Sequence, residues 1–326
     1  MRCHATAIAG SFLVVASMLT GCSSGSSDGD GIEISVTHPD DLYGLPWHVG
    51  RDQGFFEDAG VTISKIVPAE GGGATLQNVV AGRLPFGEVA TGAVVKGVEE
   101  GAPIQVVGGG VQSVSDVLWV AAGEGGPADA AASAGTTWGY TNPGSVTEAM
   151  SHLVPTAAGI EGVERESTGG TGAGIALLEA GDVDLAYASP RVVAEQGDGL
   201  RVVLDSSEHV PVYQQTVIVS SRDYASDNPE EAEALLAGYH ESVEWIYANP
   251  EEAAELWAEQ ADIDADTALE LVQRAVDAEH WGVAFNPEAL EAAAEGLAVT
   301  DGIKSVDWSE FATTDHLPED ARGELP

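Results

Sequence analysis

The chain has 326 residues and a formal net charge of −41, from 53 acidic and 12 basic side chains. Only three of the basic residues are lysines, Lys65, Lys96 and Lys304, so the sequence lacks the basic surface that nucleic-acid binding requires and excludes a nucleic-acid partner. Both cysteines, Cys3 and Cys22, belong to the N-terminal segment, which excludes disulfides, cysteine metal sites and thiol chemistry from the rest of the chain.

The length and the acidity also indicate the number of domains and the kind of solvent to which the protein is adapted. A chain of this length usually forms two domains. An excess of acidic side chains with few lysines is typical of halophilic proteins, because a high salt concentration screens the repulsion between like charges. The acids lie between well-patterned apolar segments, so they do not indicate disorder.

The N-terminal segment predicts a cleaved leader that leaves a lipid anchor. One basic residue, Arg2, precedes an apolar run over 8–19, which suits a signal peptide and is shorter than the about 20 residues that cross a bilayer. The run ends in Leu19-Thr20-Gly21-Cys22, which resembles the lipobox of bacterial lipoproteins, and a Ser, Gly and Asp stretch follows. We therefore expect a signal peptide over 1–21, lipid attachment at Cys22, a flexible tether over 22–31, and an extracytoplasmic domain at the outer face of the cell membrane.

After the tether, short apolar runs alternate with helical patterns, which favours an α/β fold with mostly parallel sheets. The predicted strands of this first part are 32–37, 61–67, 86–89, 104–107 and 117–121. The predicted helices are 46–59, which begins with a proline, 74–81 and 92–100. A cluster of glycines and a proline over 123–127 then predicts a crossing between two lobes.

A second series of the same kind follows, and the chain then becomes helical. The predicted strands are 137–140, 163–167, 184–188 and 200–204, with 216–220 as the strand that returns to the first lobe. Apolar residues keep helical spacing from Ala232 to Tyr247. Asn-Pro-Glu occurs at Asn228, Asn249 and Asn286, which predicts a helix N-cap at each asparagine. We expect the first lobe over 32–118, the second over 119–214, and a return to the first lobe with C-terminal helices over 215–326.

Five short motifs occur in an order that identifies a family. They are Gly44-Leu45-Pro46-Trp47-His48-Val49-Gly50-Arg51-Asp52-Gln53-Gly54-Phe55-Phe56, Gly71-Gly72-Gly73-Ala74, Val80-Ala81-Gly82-Arg83-Leu84-Pro85-Phe86-Gly87, Gly101-Ala102-Pro103-Ile104-Gln105-Val106-Val107 and Leu177-Leu178-Glu179-Ala180-Gly181-Asp182-Val183-Asp184-Leu185-Ala186. In this order they resemble the ABC-transporter substrate-binding lipoproteins for nitrate, sulfonates, taurine and thiamine-precursor pyrimidines, the SsuA/THI5-like family. Pro85 replaces an acid that this family usually has.

The resemblance implies a two-lobed periplasmic-binding-protein fold, similar to type II, in which two hinge crossings join lobes that are each a mostly parallel sheet flanked by helices. Such lobes close on a ligand by hinge motion. The resemblance further implies a monomer that binds a small molecule and delivers it to an ABC permease with its ATPase. It implies neither catalysis nor a cofactor nor a metal.

Ligands of open α/β sheets bind at the carboxyl ends of the strands, where helices begin. Four predicted loops lie there, over 42–45, 71–75, 90–92 and 142–146. Their glycines and free N–H groups favour an anion, and nearby aromatic rings can stack on a flat ligand. The candidate ligand-binding residues are Tyr43, Trp47, Gly73, Thr91, Gly92, Gly144, Ser145, Thr171, Tyr187 and Ser189. The alternative is an ordinary turn with a helix cap for each loop, and core packing for Trp47.

The nature of the ligand stays open between two classes. The loops favour a small organic anion such as an alkanesulfonate, taurine or nitrate, whereas the tyrosines favour a thiamine-precursor pyrimidine or another flat heterocycle. No arginine lies in the four loops, so a doubly charged anion would lack a bidentate partner. Two other functional classes remain as alternatives: an enzyme on the same scaffold, and a ligand sensor, which would need a transmembrane segment.

Overall fold

The computed structural model describes residues 31–69, 71–323 and 325. The predicted signal peptide, the predicted lipid site at Cys22 and the tether up to residue 30 lie outside these residues. The strands within them are β1 Ile32–Thr37, β2 Ile63–Ala69, β3 Phe86–Ala90, β4 Ile104–Gly109, β5 Leu118–Ala122, β6 Thr137–Tyr140, β7 Glu164–Ser167, β8 Leu185–Ala188, β9 Leu200–Asp205 and β10 Thr216–Ser221.

Helices flank these strands and fill the C-terminal third. They are α1 Leu45–Gln53, α2 Phe55–Ala59, α3 Gly72–Val80, α4 Thr91–Glu99, α5 Val146–Ala158, α6 Thr171–Ala180, α7 Pro190–Gln196, α8 Arg222–Asp227, α9 Pro229–Ala248, α10 Pro250–Ala261, α11 Ala265–Asp277 and α12 Pro287–Thr300. None of the helices in the described part of the chain is both long and apolar enough to cross a membrane.

The strands form two five-stranded sheets with the same topology. The first has the order β2-β1-β3-β10-β4 and the second the order β7-β6-β8-β5-β9. In each sheet four strands run in one direction, while β10 or β5 runs antiparallel between its neighbours. The sheets are thus mixed, with four of the five strands in one direction, which agrees with the expected mostly parallel sheets. Strands β5 and β10 are the first strands after the chain enters a new sheet. Each begins on the side of the other lobe, so it runs opposite to the strands whose carboxyl ends face that lobe.

The chain changes sheet twice, and the first change lies earlier than the glycine cluster over 123–127 indicates. One crossing is 110–117, between β4 and β5, and the other is 206–215, between β9 and β10. The crossing predicted over 123–127 is instead a surface turn of the second lobe, where Arg201 donates to the carbonyls of Gly125 and Pro127. The strand predicted over 216–220 is β10 of the first sheet, as expected for the return to the first lobe. Turn residues mark where the chain bends, and here that bend does not coincide with the change of sheet.

Glycine and asparagine residues set the helix boundaries. The predicted helix over 46–59 is divided into α1 and α2, because Gly54 adopts a φ of 82° that ends α1 in the left-handed region. The N-cap prediction holds at Asn286, whose Oδ1 accepts from two backbone N–H groups of α12. Asn228 and Asn249 also occupy the N-cap positions of α9 and α10, but their side chains do not cap these helices. There each side chain donates to a carbonyl of the preceding helix, which ends directly at the asparagine.

Helix α12 packs against both lobes. Its Leu290 and Leu297 belong to the main apolar core, which surrounds the first sheet. Its Ala293 belongs to the core that lies between the second sheet and α5. The small residue Gly296 allows this approach, because a Cβ atom there would lie 2.7 Å from the Tyr213 hydroxyl. Helix α12 therefore connects the two lobes in addition to the two crossings.

Candidate ligand-binding cleft

A cleft of about 1180 Å³ lies between the two lobes and is lined by both of them. The first lobe contributes the segments that follow β1, β2 and β3. The second lobe contributes the segments that follow β6, β7 and β8. The carboxyl ends of six parallel strands therefore face one space, as is common for ligand sites in α/β folds.

The common topology of the sheets places equivalent helices around this cleft. Helix α3 follows β2 as α6 follows β7, and α4 follows β3 as α7 follows β8. The N-terminus of an α-helix carries a partial positive charge, and the N–H groups of its first turn have no partner within the helix. The cleft is consequently surrounded by N–H donors from both lobes, which favours an anionic group.

A glycine precedes each of the helices α3 and α6 at the edge of the cleft. Gly71 has a φ of 96° and Gly170 a φ of 152°, both in the region that favours glycine. Gly73, in the first turn of α3, also lines the cleft, and a Cβ atom there would meet no heavy atom within 4 Å. The space beside these backbones is open, so a ligand can approach them directly.

In the second lobe, hydroxyl groups cap the helices that face the cleft. Ser145 Oγ accepts from the backbone N–H of Glu148 at 3.2 Å, and the Glu148 carboxylate accepts in turn from the N–H of Gly144. Ser189 Oγ accepts from the N–H of Val192 at 3.4 Å. Each hydroxyl therefore orders a helix N-terminus, and the Ser145 hydroxyl also shares a hydrogen bond of 2.9 Å with Thr147 Oγ1.

The structure brings together seven of the ten candidate residues from the sequence. The residues that line the cleft are Tyr43, Gly73, Gly144, Ser145, Thr171, Tyr187 and Ser189. Trp47, Thr91 and Gly92 are not among the lining residues. The seven come from segments that are far apart in sequence, and they meet because equivalent strand ends of both lobes point to one cleft.

Trp47 belongs to the core, which corrects the expectation that it stacks on a ligand. Its side chain is 1% exposed, and its ring stacks on Phe56 with a centroid separation of 5.7 Å. Its indole Nε1 donates to the buried carboxylate of Glu88. Helix α1 turns this face toward α9, so the tryptophan packs behind the cleft surface.

Thr91 and Gly92 also differ from their expected positions. Thr91 is 1% exposed. Gly92 faces the second lobe, because a Cβ atom on it would lie 3.2 Å from the carbonyl oxygen of Gly144. This glycine is therefore a point of close approach between the lobes, and the space beside it is filled by protein.

Two basic residues that were not selected from the sequence also line the cleft. Arg191, in the first turn of α7, donates from Nε to Asp41 Oδ1 of the first lobe at 2.9 Å and from Nη1 to Glu195 at 2.7 Å. Lys96 of α4 pairs with Asp301 at 2.7 Å. The position of Arg191 after β8 is a signal that could have identified it, because the same rule selected the four loops. Lys96 lies too far along its helix for that rule.

A chain of buried hydrogen bonds connects the cleft to both crossings. The Tyr43 hydroxyl donates to Gln215 Oε1 at 2.7 Å, and Gln215 Nε2 donates to Asp116 Oδ1 at 2.6 Å. Burial raises the pKa of Asp116 to about 6. Burial, followed by the charge of Asp116, also raises the pKa values of Tyr43 and Tyr187 well above the usual value, so both remain protonated donors.

Nearby, Glu88 accepts from Trp47 and from Thr216 Oγ1, and burial raises its pKa to about 7. Thr216 begins β10, directly after the second crossing. Among the residues that the structure describes, no group of three or more His, Cys, Asp or Glu side chains could hold a metal ion.

In comparison with known proteins, the chain matches a protein family and is similar in structure to many solved proteins. The family described as NMT1/THI5 like matches residues 43–253. The periplasmic aliphatic sulphonate binding protein SsuA of Escherichia coli superposes with a TM-score of 0.70 at 16% identity, covering 91% of this chain and 96% of that one. No curated protein matches the sequence.

Two further solved structures are similar. The alkanesulfonate-binding protein SsuA of Xanthomonas axonopodis pv. citri, bound to MOPS, gives a TM-score of 0.68 at 12% identity, over 88% of this chain and 99% of that one. The Candida albicans CA3427 gene product, described as having the generic periplasmic binding protein structural fold, gives 0.71 at 12% identity, over 88% and 97%. At these identities the likeness shows the fold, and the two-lobed fold expected from the sequence is confirmed.

Proposed function

Because the chain belongs to the NMT1/THI5-like family, we propose that it is the solute-binding component of an ABC importer and captures a small organic anion in the cleft. The observation that carries this proposal is the set of helix N-termini from both lobes around one space. Their N–H groups and partial positive charges stabilise an anionic group. Closure of both lobes on that group would bury it.

The charge of the cleft supports the same class of ligand. The whole chain has 53 acidic against 12 basic side chains. The cleft lining, by contrast, holds two of each: Lys96 and Arg191 against Asp41 and Glu100. The acidic surface elsewhere repels anions, whereas the acidic and basic side chains of the cleft lining are equal in number. A sulfonate is the leading choice, because two similar structures are of sulfonate-binding proteins. Taurine and nitrate carry the same kind of charge.

A flat heterocycle, such as a thiamine-precursor pyrimidine, is the second candidate. It is favoured by Tyr43 and Tyr187, which come from different lobes and both line the cleft. Aromatic rings contribute about 0.5–1.5 kcal/mol per stacked pair beyond the area that they bury. Both candidates are ligands for transport, so neither requires turnover by the protein.

The protein's location in the cell follows from the same function. We infer an extracytoplasmic monomer, tethered to the outer face of the membrane by a lipid on Cys22, that delivers its ligand to a permease and an ATPase. The similar structures include a periplasmic binding protein, which supports the extracytoplasmic location. The tether between Cys22 and β1 is made of Ser, Gly and Asp, which suits a folded domain held off a membrane.

Calorimetric titration against alkanesulfonates, nitrate and pyrimidines tests the function. We expect a sulfonate to bind with a dissociation constant in the micromolar range or below, that is, about −8 kcal/mol or more favourable. X-ray scattering should show closure as a decrease in the radius of gyration. Binding of a pyrimidine alone would favour the second candidate. If no compound of either class bound, the proposal would be wrong.

A further inference from the structure

An ion pair joins the two lobes across the cleft. Asp41 follows β1 in the first lobe, and Arg191 lies in the first turn of α7 in the second lobe. Arg191 Nε donates to Asp41 Oδ1 at 2.9 Å, while its Nη1 donates to Glu195 of the same helix at 2.7 Å. The Arg191 and Asp41 side chains are only 28% and 27% exposed, and partial shielding from water strengthens their attraction. Because its partners belong to different lobes, the pair can form only when the lobes are close together.

A second ion pair joins the lobes with the charges reversed. Arg274 belongs to α11, whose Leu271 and Val272 are part of the main apolar core around the first sheet. Its Nη2 pairs with Asp205, the last residue of β9 in the second lobe, and its Nε donates to the carbonyl oxygen of Ser115 at 2.7 Å. Each lobe thus contributes one arginine and one aspartate to the contact between them.

These ion pairs act against the net charge of the lobes. Residues 118–205 include 12 acidic and three basic side chains, and the first lobe holds most of the remaining acidic side chains. Bodies with net charges of the same sign repel each other, and at 0.1 M salt this repulsion acts over about 10 Å. Closure of the cleft brings the two acidic lobes within that distance. It therefore has an electrostatic cost, which attractive contacts between the lobes can offset.

The Asp41–Arg191 pair leaves room for a ligand in the closed cleft. With the pair formed, the cleft has a volume of about 1180 Å³. Helices α3 and α6, whose N-termini form the proposed anion site, follow β2 and β7, the edge strands of the two sheets. Asp41 and Arg191 instead follow the inner strands β1 and β8. A ligand at the helix N-termini therefore does not need to displace Asp41.

We propose that the Asp41–Arg191 pair is an electrostatic latch, which stabilises the closed cleft against the repulsion between the lobes and thereby raises the affinity for the ligand. The inference rests on the proposed function, because the latch acts on the closure that buries the ligand. A ligand that binds the closed state has an apparent affinity proportional to the population of that state. Loss of the latch lowers this population, so it weakens binding without removing a contact to the ligand.

The effects of charge and of closure on affinity have opposite signs for Asp41, which makes the latch testable. As simple charges, Asp41 would repel an anionic ligand and Arg191 would attract it. Asp41→Asn would then strengthen binding, Arg191→Gln would weaken it, and the double variant, which has the parent's net charge, would bind like the parent. As partners in a latch they give another pattern. Both single variants and the double variant bind more weakly than the parent, because each of them has lost the pair.

Calorimetric titration with ethanesulfonate measures the affinities of the parent, the two single variants and the double variant. We expect the double variant to bind about threefold to tenfold more weakly than the parent, as for the loss of one partly shielded ion pair. Asp41→Asn should also bind more weakly, although it removes a negative charge from the cleft. In X-ray scattering without ligand, the double variant should have a larger radius of gyration than the parent, because its lobes separate more often.

The matched control is the double variant Arg51→Gln/Asp52→Asn, which also keeps the net charge. It removes an ion pair of 3.6 Å within the first lobe, so its affinity and radius of gyration should equal those of the parent. Equal affinity of the parent and the Asp41→Asn/Arg191→Gln variant would overturn the latch and leave the proposed function intact. Failure of the parent to bind ethanesulfonate would contradict the leading candidate for the ligand, and an unchanged radius of gyration in the double variant would then overturn the latch as well.

Discussion

At the scale of single residues, Ser145 combines two tasks that can be separated. Its hydroxyl caps α5 and its side chain also lines the cleft. Loss of the cap in Ser145→Ala should lower the free energy of unfolding by about 1 kcal/mol. Loss of the donor should weaken anion binding about threefold to tenfold. A change in both properties would agree with this description.

Ser145→Asp distinguishes the two tasks. Aspartate is a good N-cap, so the melting temperature should stay close to that of the parent protein. Its negative charge lies where an anion is expected, so affinity should fall by at least about tenfold, as measured by calorimetric titration. If Ser145→Asp bound the anion as tightly as the parent, the acidic group of the ligand would lie elsewhere in the cleft.

Glu88 makes stability depend on pH in a predictable direction. Burial raises its pKa from 4.5 to about 7 in the folded protein. Between these values the unfolded chain loses the proton and the folded chain keeps it, so this residue lowers stability as the pH rises from about 4.5 to about 7. Below that window it has no effect, and above it the loss is constant.

The substitution Glu88→Gln should remove this dependence. The amide keeps an acceptor for Trp47 and a polar group for Thr216. Relative to the parent, the free energy of unfolding of the variant should increase across the window, by on the order of 3 kcal/mol at its upper end. Urea unfolding at several pH values measures the difference. A difference that did not change with pH would show that Glu88 titrates normally.

At the scale of elements, the beginning of α4 governs how closely the lobes approach. Because a Cβ atom on Gly92 would lie 3.2 Å from the Gly144 oxygen, the side chain of Gly92→Leu should hold the lobes apart. We expect loss of ligand binding and a larger radius of gyration in X-ray scattering, with nearly unchanged secondary structure. The matched control is Gly199→Leu on the surface of the second lobe, where the nearest atom to a Cβ would be 3.8 Å away. Normal closure of Gly92→Leu would contradict this description.

At the scale of the whole molecule, the net charge of −41 should make stability depend on salt. At 0.1 M salt the Debye length is about 10 Å, so repulsion among the surface acids is only partly screened. The melting temperature should therefore rise between low salt and molar potassium chloride. A melting temperature that is the same at all salt concentrations would mean that the acids are too widely spaced to repel one another.

Membrane attachment is the second prediction at this scale. If Cys22 carries a lipid, the parent protein should partition into detergent and Cys22→Ser should remain in the aqueous phase, because stable anchoring here depends on the acyl chains. Intact-mass measurement of the parent should show the added lipid. Equal partitioning of the two proteins would exclude this cysteine as the anchor.

Most elements and the two-lobed fold could be predicted from the sequence. Periodicity and helix boundary signals act over a few residues, so the strand predicted over 137–140 and the glycine loop over 71–75 that precedes α3 could be recognised locally. The order of the family motifs indicated the two lobes. Seven candidate residues could be selected by one rule about strand ends.

The pairings between distant segments could not be predicted in this way, because they depend on how the folded chain brings those segments together. Leu118 pairs with Ala188 and Asp205, and that pairing, rather than the turn over 123–127, sets the crossing. Arg191 meets Asp41, and Asp116 meets Gln215, across about a hundred residues or more. An amphipathic pattern states that one helix face is buried, but not which segment buries it, so Trp47 could be assigned to the core only once the lobes were assembled.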